Sequence, residues 1–424
     1  MITQIRTALF SAILFAIGFV AVAIPLSLGL RAATPMPDLL VLSPKLDAYK
    51  AVPEKYDTVF IGSEIYRTSR YGRRHPLAIP RVSTVMDLCR ALGWLDDDCY
   101  IESPLATVDQ LCRFHDPAYV AAVIQAERTQ KATPELIAKH NIGKLENPVY
   151  GEIFRRPATA VGASLRAADL IASDRARRVH TPAGGTHHGR PDRASGFCYF
   201  NDPVLAILRL QDHGVGRIAY VDVDAHHCDG VEDATHDDPS VLTLSIHEHG
   251  RWPHRADTAH RQTPTVGNWP LPRGSGDALF RSIFDRELLP RLAAFAPDAV
   301  IMQCGADALA DDPLSRLELS NRAIWRAVRS VDRIAPRLIV LGGGGYNPWS
   351  VARCWTGIWG ALAGFARPAR LPAGAEQILR DLTWHRQAGR NPPEHWFTTL
   401  ADLPNDGPDA PTALATALPG MEPS

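Results

Sequence analysis

The sequence predicts an α/β fold, a single domain with a mostly parallel, doubly wound central sheet that helices cover on both faces. Short apolar runs rich in β-branched residues alternate along the chain with longer segments of helical spacing, which is typical of parallel sheets. Clusters of Gly, Asp and His directly follow several of these runs. Because open α/β sheets place their sites at the carboxyl ends of strands, we expect a functional site there.

The predicted strands are short apolar runs bounded by polar residues or glycine. They cover 58–62, 218–223, 241–246, 299–304 and 338–341. The predicted helices carry apolar residues at helical spacing. They cover 81–92, a segment that starts at Pro117 behind the N-cap Asp116, 158–172, 203–213, 280–295, 321–334 and 353–365. Residues 127–150 and 247–276 lack periodicity and are predicted loops, and loops of such length are usually functional.

The first residues of the chain form a separate apolar segment. Residues 7–30 carry no charge and are long enough to span a bilayer. Three interpretations of residues 1–36 stay open: a membrane anchor, a signal peptide, or a segment upstream of a true start near Met36. The basic residues that follow weakly favour a cytoplasmic catalytic domain over secretion, with membrane contact only through 7–30.

The remaining boundaries follow from composition. Residues 37–56 are rich in proline and form a predicted linker, 57–366 form the domain, and 367–424 form a Pro-rich extension with one short helix near 375–382. We expect residues 1–36 and this extension to be dispensable for activity.

Composition limits the partners and the redox compartment. The chain of 424 residues is 46 % hydrophobic, which is sufficient for a sizeable core. Its formal net charge of −1 argues against a nucleic acid bound through its phosphates. Seven cysteines without paired spacing indicate free thiols and a reducing compartment.

Several ionisable residues stand together at the end of the predicted strand 218–223. On an extended chain Asp222, Asp224 and His226 project to the same side. Burying these groups is costly unless a cation compensates them, and carboxylate and imidazole ligands suit zinc. The alternative is a solvated turn that happens to be rich in Asp and His.

Four further motifs make a family resemblance specific. They are Gly184-Gly-Thr-His-His188, Ser195-Gly-Phe-Cys-Tyr-Phe-Asn-Asp202, Gly305-Ala-Asp307 and Gly342-Gly-Gly-Gly-Tyr-Asn347. In this order, and with the Asp-x-Asp-x-His-His stretch, they resemble the histone deacetylase family, both its class I and its bacterial acetoin-utilisation-type members. The resemblance runs from about Asp57 to about Gly364 and implies the arginase/deacetylase fold.

The resemblance implies a set of catalytic and metal-binding residues. The zinc ligands would be Asp224, His226 and Asp307, with Fe²⁺ as an alternative metal. His188 would be the general base and then the acid, His187 its electrostatic partner, and Tyr346 the hydrogen-bond donor to the oxyanion. Asp222 would orient His187, and Asp229 would orient His188.

The resemblance also implies residues around the substrate. The channel would be lined by Gly196, Phe197, Trp252, Leu314, Gly344 and the rim carboxylate Glu146. Arg81 would line an inner cavity for the departing acetate. A structural potassium ion would be bound by Asp222, Asp224, His226, Ser245 and Ile246. One departure is Cys228, which stands where the family usually has Gly, so its backbone could be strained or its thiol could approach the metal.

We therefore expect a zinc-dependent deacetylase that acts on acetylated lysine in proteins. An amidohydrolase of acetylated polyamines or other small acylated amines is the alternative enzyme, and it would need several carboxylates at the rim. A non-hydrolytic acyl-lysine binding protein is the alternative from another class, which the intact His187, His188 and Tyr346 disfavour. The sequence does not indicate the oligomeric state.

Overall fold

Eight parallel strands form one sheet in the order β2-β1-β3-β8-β7-β4-β5-β6. The structure is a computed structural model, and it describes residues 56–72, 75–255 and 260–407. The strands are β1 Tyr56–Gly62, β2 Tyr100–Glu102, β3 Ala176–Thr181, β4 Ile218–Asp222, β5 Val241–Glu248, β6 Val266–Leu271, β7 Ala299–Gln303 and β8 Leu338–Leu341.

Fourteen α-helices surround this sheet within the described residues. They are α1 Ile65–Thr68, α2 Val82–Ala91, α3 Val108–Leu111, α4 Pro117–Thr129, α5 Pro134–His140, α6 Arg155–Ala172, α7 Asp202–Asp212, α8 Asp229–Thr235, α9 Asp277–Ile283, α10 Leu289–Phe295, α11 Asn321–Ile334, α12 Pro348–Ala363, α13 Ala373–Arg380 and α14 His395–Thr398.

Helices cover both faces of the sheet, as the central strand β4 shows. Ala219 and Val221 pack into a core with residues of α2, α11 and α12, whereas Ile218 and Tyr220 pack into a second core with residues of α6 and α7. Successive side chains of a strand point to opposite faces, so β4 is buried on both sides. The predicted α/β fold with a parallel, doubly wound sheet is confirmed.

Several elements inside the predicted loops escaped the sequence analysis. The predicted loop 127–150 contains α5, which the side chain of Thr133 caps by accepting from the N–H of Leu136. The predicted loop 247–276 contains the fully buried strand β6. It was not predicted as a strand because Gly267 and Pro270 interrupt its apolar residues. The short edge strand β2 and β3, with its two arginines, were also missed.

One predicted helix is interrupted. The segment 280–295 forms α9 and α10 with a π-helical turn, Phe284–Leu288, between them. Pro290 follows this turn and has no backbone N–H to donate to the preceding turn, which accounts for a local change in hydrogen bonding.

The chain beyond residue 366 is part of the core. Leu379, Trp396 and Leu400 are buried in the same cluster as α11 and α12. The fully buried Arg353 forms a 2.7 Å ion pair with Asp402 and donates to the carbonyl of Thr399 at 2.7 Å. A boundary at 366 would cut through these contacts, so the expectation that the whole extension is dispensable does not agree with the packing.

The predicted apolar segment 7–30 and most of the linker lie outside the described residues, as do residues 408–424. Within the described part of the chain, no helix is both long and apolar enough to cross a membrane.

Candidate active site

The predicted site residues follow four strands that are neighbours in the sheet. In spatial order these are β3, β8, β7 and β4. His187 and His188 follow β3, Tyr346 follows β8, and Asp307 follows β7. Asp224 and His226 follow β4, so all four carboxyl ends deliver polar side chains to one place, as in other open α/β sheets.

Asp224, His226 and Asp307 converge. One ligand atom from each lies within 4.8 Å of the other two, and all three side chains are buried. The Nδ1 atom of His226 is 3.0 Å from Oδ1 of Asp224 and 2.9 Å from Oδ2 of Asp307. Two carboxylates and one imidazole form a three-residue donor set that suits a catalytic zinc with an open position.

The surroundings of these side chains fit a metal ion. Oδ2 of Asp307 is buried and has no partner in hydrogen-bond geometry, although it lies beside His226. A Cβ atom on Gly344 would lie 2.0 Å from Oδ2 of Asp307, and one on Gly305 would lie 2.1 Å from Oδ2 of Asp224. Only glycine therefore leaves room at these positions, and a cation held here would satisfy the orphaned carboxylate oxygen.

Charge supports the same interpretation. Burial and the negative charge of Asp224 raise the pKa of Asp307. Two carboxylates held this close repel each other unless a positive charge lies between them. A divalent cation would remove that repulsion.

Each histidine of the adjacent pair has its own carboxylate. Nδ1 of His187 lies 2.7 Å from Oδ2 of Asp222, and Nδ1 of His188 lies 2.7 Å from Oδ1 of Asp229. A carboxylate at Nδ1 keeps a proton on that nitrogen, so in a neutral ring Nε2 is free to accept a proton. The structure thus brings together the two pairs that the sequence named.

The two imidazoles differ in basicity. Burial lowers the pKa of His188, the nearby charge of His187 lowers it further, and it falls to about 3. Burial also disfavours charge on His187, but Asp222 and Asp224 outweigh it and raise its pKa to about 9. His188 is consequently the neutral ring of the pair.

Asp229 is held ionised by two partners. Burial opposes its charge, but the hydrogen bond from His188 and the charge of Arg190 lower its pKa to about 2. Arg190 also pairs with Asp233 on α8. Arg190 was not identified from the sequence, since an arginine two residues beyond a motif carries no distinctive signal.

Asp202 holds the turn that carries the two histidines. Its buried carboxylate accepts from the N–H groups of Gly185 and Thr186, at 3.0 and 2.8 Å, and from the hydroxyl of Ser164 at 2.6 Å. Beside it, Asn201 donates to the carbonyl of Gly189 at 3.0 Å. Both residues end the Ser195–Asp202 motif, and that position was the available signal for their role.

Tyr346 lies at the junction of the metal ligands and the channel. Its side chain is buried, and its ring meets that of Phe197 edge-on at 5.7 Å between centroids. Its backbone N–H donates to Oδ2 of Asp312 at 2.7 Å, and Oδ1 of Asp312 accepts from the N–H of Leu314 at 2.9 Å. Asp312, which the sequence analysis missed, therefore ties Tyr346 to the channel wall.

A channel leads from this centre to the surface. Its lining contains five predicted channel residues, three residues predicted to act in catalysis or metal binding, and Arg251. These are Glu146, His188, Gly196, Phe197, His226, Arg251, Trp252, Leu314 and Tyr346. The sixth predicted channel residue, Gly344, lines the adjoining inner cavity.

Two details determine the shape of this channel. A Cβ atom on Gly196 would lie 2.3 Å from the ring of Trp252, so only glycine permits this close approach. At the rim, Oε1 of Glu146 accepts from the side-chain amides of Asn141 at 2.6 Å and Asn147 at 3.2 Å. Glu146 is thus fixed in position at the channel entrance.

Arg81 lines the inner cavity, as predicted. It donates to the carbonyl of Gly343 at 2.8 Å, and a Cβ atom on Gly343 would lie 2.9 Å from Oδ2 of Asp224. The guanidinium group is therefore separated from the metal ligands by a single turn of the Gly-rich loop.

The predicted potassium ligands lie on β4, on the segment after it and on β5. Asp222 is paired with Ser245 in the β4–β5 register, and the hydroxyl of Ser245 lies 2.9 Å from Nδ1 of His247. The side chain of Ile246 packs in the core, which leaves only its backbone carbonyl as a ligand.

Cys228 is neither strained nor a metal ligand within the described residues. Its φ of −76° lies in an ordinary region, and it precedes α8 as its N-cap. Its thiol is packed in the core with Tyr220 and Val231, and burial raises its pKa well above the usual range. The thiol is therefore protonated and weakly reactive.

Comparison with known proteins gives consistent matches. A family model described as "Histone deacetylase domain" matches residues 75–362. The chain is 33 % identical over 360 residues to acetoin utilization protein AcuC of Bacillus subtilis (strain 168), covering 82 % of this chain and 91 % of that protein. It is 34 % identical over 323 residues to histone deacetylase 1 of Oryza sativa subsp. japonica, covering 74 % of this chain and 62 % of that protein.

A solved structure agrees in fold. The crystal structure of an HDAC homolog from Aquifex aeolicus superposes with a TM-score of 0.80 at 33 % sequence identity. The match covers 85 % of this chain and 99 % of that one.

Proposed function

The chain belongs to the histone deacetylase family, and from this premise we propose that it is a zinc-dependent amide hydrolase that removes acetyl groups from lysine side chains. One observation carries the proposal: the buried triad of Asp224, His226 and Asp307 lies beside two histidine–carboxylate pairs. A zinc ion held by the triad would supply Lewis-acid activation of the attacking water and of the amide carbonyl.

The protein side chains would carry the proton transfers. His188, with Nδ1 engaged by Asp229, accepts a proton from the attacking water at Nε2 and later gives it to the leaving amine. His187 stays oriented by Asp222 and supplies a positive charge beside the reacting atoms. Tyr346 donates its hydroxyl hydrogen to the carbonyl oxygen as negative charge develops there.

The channel supports a thin, extended substrate. Phe197 and Trp252 contribute aromatic rings to its lining, and Leu314 adds an apolar surface. Such walls favour the methylene chain of a lysine side chain. The fixed carboxylate of Glu146 is placed to accept hydrogen bonds from the substrate backbone at the entrance.

The alternative polyamine substrate is less well supported. Among the described residues at the mouth, Glu146 is the only carboxylate in the lining, and the lining also includes the cation Arg251. A polycationic amine would therefore find a single carboxylate there, because the charge of Arg251 is already balanced by its 2.6 Å ion pair with Glu248. A non-hydrolytic acyl-lysine binder has no need for the complete His187, His188 and Tyr346 constellation.

A substrate panel tests the proposal. The zinc-loaded protein is assayed with an acetylated lysine peptide, an acetylated polyamine and a small acetylated amine. The carbon chain of this small amine is as long as the lysine side chain. We expect kcat/KM to be highest for the peptide. Preference for the polyamine would favour the alternative enzyme, and peptide binding without turnover of any amide would contradict the hydrolase.

A structural potassium ion beside Asp222 and Ser245 stays a separate prediction, to be checked by activity in potassium-free buffer.

A further inference from the structure

The cavity behind the metal ligands contains two arginines. Arg81 and Arg156 both line it, together with Tyr66 and Tyr71. Arg156 comes from α6, is only 7 % exposed, and was not identified from the sequence. Burial and, to a smaller extent, the charge of Arg156 lower the pKa of Arg81, so the two cations lie close enough to repel each other.

Neither arginine has a carboxylate partner among the described residues. Arg156 donates to the carbonyl of Ser69 at 2.8 Å, and its guanidinium group lies over the rings of Tyr66 and Tyr71, 5.1 and 5.3 Å from their centroids. Arg81 donates to backbone carbonyls of the Gly-rich loop. Buried cations are normally paired with a carboxylate, and the described residues supply none to Arg81 or Arg156. The compensating negative charge is left for a ligand to supply.

Unused hydrogen-bond donors lie in the same cavity. The hydroxyl of Tyr66, a side chain that is 5 % exposed, is buried and has no partner. The Nε atom of Arg81 is also buried and without a partner. Buried polar groups in folded proteins are nearly always satisfied, so these donors indicate a ligand with acceptor oxygens.

The cavity continues directly from the catalytic centre. His188, Phe197, His226 and Tyr346 line both the outer channel and the inner cavity. An amide whose carbonyl is held among these residues, with its amine side in the outer channel, directs its acyl group inward. A charge at the far end of the acyl chain would then approach the two arginines.

We propose that the inner cavity, built by Arg81, Arg156 and Tyr66, binds the terminal carboxylate of acyl groups derived from dicarboxylic acids, such as succinyl and glutaryl. This inference rests on the proposed hydrolase function. Acetate, once released, carries its charge at the carbon that was attacked, beside the metal ligands. A second carboxylate, several bonds further along the acyl chain, brings the negative charge that Arg81 and Arg156 lack.

The reaction is the hydrolysis of the same amide bond. Water forms a new C–O bond at the acyl carbon, and the C–N bond breaks. The two protons of the water end on the amine nitrogen, because the new carboxylic acid ionises at neutral pH. The products are a lysine ammonium group and a free dicarboxylate, with no oxidant or further reactant.

Matched acyl groups isolate the effect of charge. Succinyl-lysine and butyryl-lysine peptides have acyl chains of equal length, and only the succinyl chain carries a carboxylate. We expect kcat/KM for succinyl to exceed that for butyryl by at least about tenfold, because a charge-assisted contact is available only to the former. Arg156→Gln should bring this ratio close to one, through a higher KM for the succinyl peptide.

Two further variants separate ligand binding from a structural role. Tyr66→Phe removes only the unpartnered hydroxyl and should lower the succinyl-to-butyryl ratio without affecting folding. Arg113→Gln removes an exposed arginine that pairs with Asp212 outside both the cavity and the channel, and it should leave the ratio unchanged. If Arg156 only supports the Ser69 turn, Arg156→Gln will slow both substrates equally.

A binding measurement gives a second readout. Calorimetry should show succinate binding more tightly than acetate to the wild-type protein, with the difference lost in Arg156→Gln. A wild-type enzyme that hydrolyses acetyl- and butyryl-lysine but not succinyl-lysine would overturn this inference and leave the hydrolase intact. Failure to hydrolyse any acyl-lysine would instead contradict the proposed function.

Discussion

At the scale of single residues, the site consists of polar side chains that are fixed by hydrogen bonds before a substrate arrives. Asp222 and Asp229 orient the two histidines, Asp202 fixes their turn, and Asp312 fixes Tyr346. Preorganised donors are effective because they need not reorient when charge develops during the reaction.

The hydroxyl of Tyr346 can be tested by a minimal change. Tyr346→Phe keeps the ring contact with Phe197 and removes the donor to the oxyanion. We expect kcat to fall by about 10²–10³-fold, with little change in KM or zinc content. Steady-state kinetics and metal analysis of both proteins measure this, and a variant with full kcat would remove Tyr346 from the mechanism.

The proposed general base, His188, gives a companion prediction. His188→Ala should lower kcat at least as much as Tyr346→Phe, because it removes the group that carries the proton. The same kinetic and zinc measurements apply. Cys228→Ser, a change at a buried thiol outside the metal triad, is a control that should retain zinc.

Asp202 allows a stability prediction. Asp202→Asn places an amide NH₂ where two backbone N–H groups and a hydroxyl now donate, so at least one buried donor loses its acceptor. We expect the free energy of unfolding to fall by about 1–3 kcal/mol. Urea denaturation monitored by tryptophan fluorescence measures this, and an unchanged midpoint would show that the carboxylate is not needed to hold the turn.

At the scale of secondary-structure elements, strands made mostly of apolar residues were predicted from the sequence. Strands interrupted by glycine, proline or charged residues were not. The strands β4, β7 and β8 consist mainly of continuous apolar residues, β5 alternates apolar with polar residues in its first part, and all four were identified. β6 was not, because its Gly267, Asn268 and Pro270 obscure a strand that pairing with β5 stabilises. Tertiary contacts of this kind override local preference.

The C-terminal elements allow a test of the domain boundary. Removing all residues after 366 would expose the surface that Trp396 and Leu379 now cover and would leave the buried Arg353 without Asp402. We expect this truncated protein to be insoluble or unfolded, since losing one partner of a buried ion pair alone costs about 3–5 kcal/mol. Expression, solubility and circular dichroism measure the outcome.

A matched truncation controls for chain length. Ending the chain after residue 407 removes only residues outside the described part and should retain stability and activity. A stable, active protein ending at 366 would instead support the boundary first expected from composition.

At the scale of the whole molecule, the sequence named the residues that the structure brings together at the candidate site, but not the residues that hold them in place. The metal triad, the histidines and Tyr346 stand in distinctive motifs, so each was named in advance. Arg156, Asp312 and Gln303 were missed because isolated arginine, aspartate and glutamine residues carry no local signal. Their roles arise from packing between distant segments, such as the 2.9 Å approach of Gln303 to His187.

Metal removal should affect the stability of the entire domain. A ligand that binds only the folded protein stabilises it by about 2.7 kcal/mol at 100 times its Kd. We expect chelation to lower the Tm and abolish activity, and added zinc to restore both. Asp307→Ala should resemble the chelated wild-type protein in Tm and zinc content, and an equal Tm with and without zinc would argue against a metal bound by the triad.

The pairing of distant strands has a consequence for the order of folding. Asp224 and His226 are close in sequence, but Asp307 joins them only when β7 pairs with β4, as Val221 opposite Met302 shows. On the other side of β7, β8 must pair with β3, where Val179 lies opposite Ile339. Contacts between residues so far apart in sequence form slowly. A nascent chain can therefore offer only two of the three proposed ligands until most of the sheet has assembled, and we expect a metal bound by this triad to be inserted late in biosynthesis.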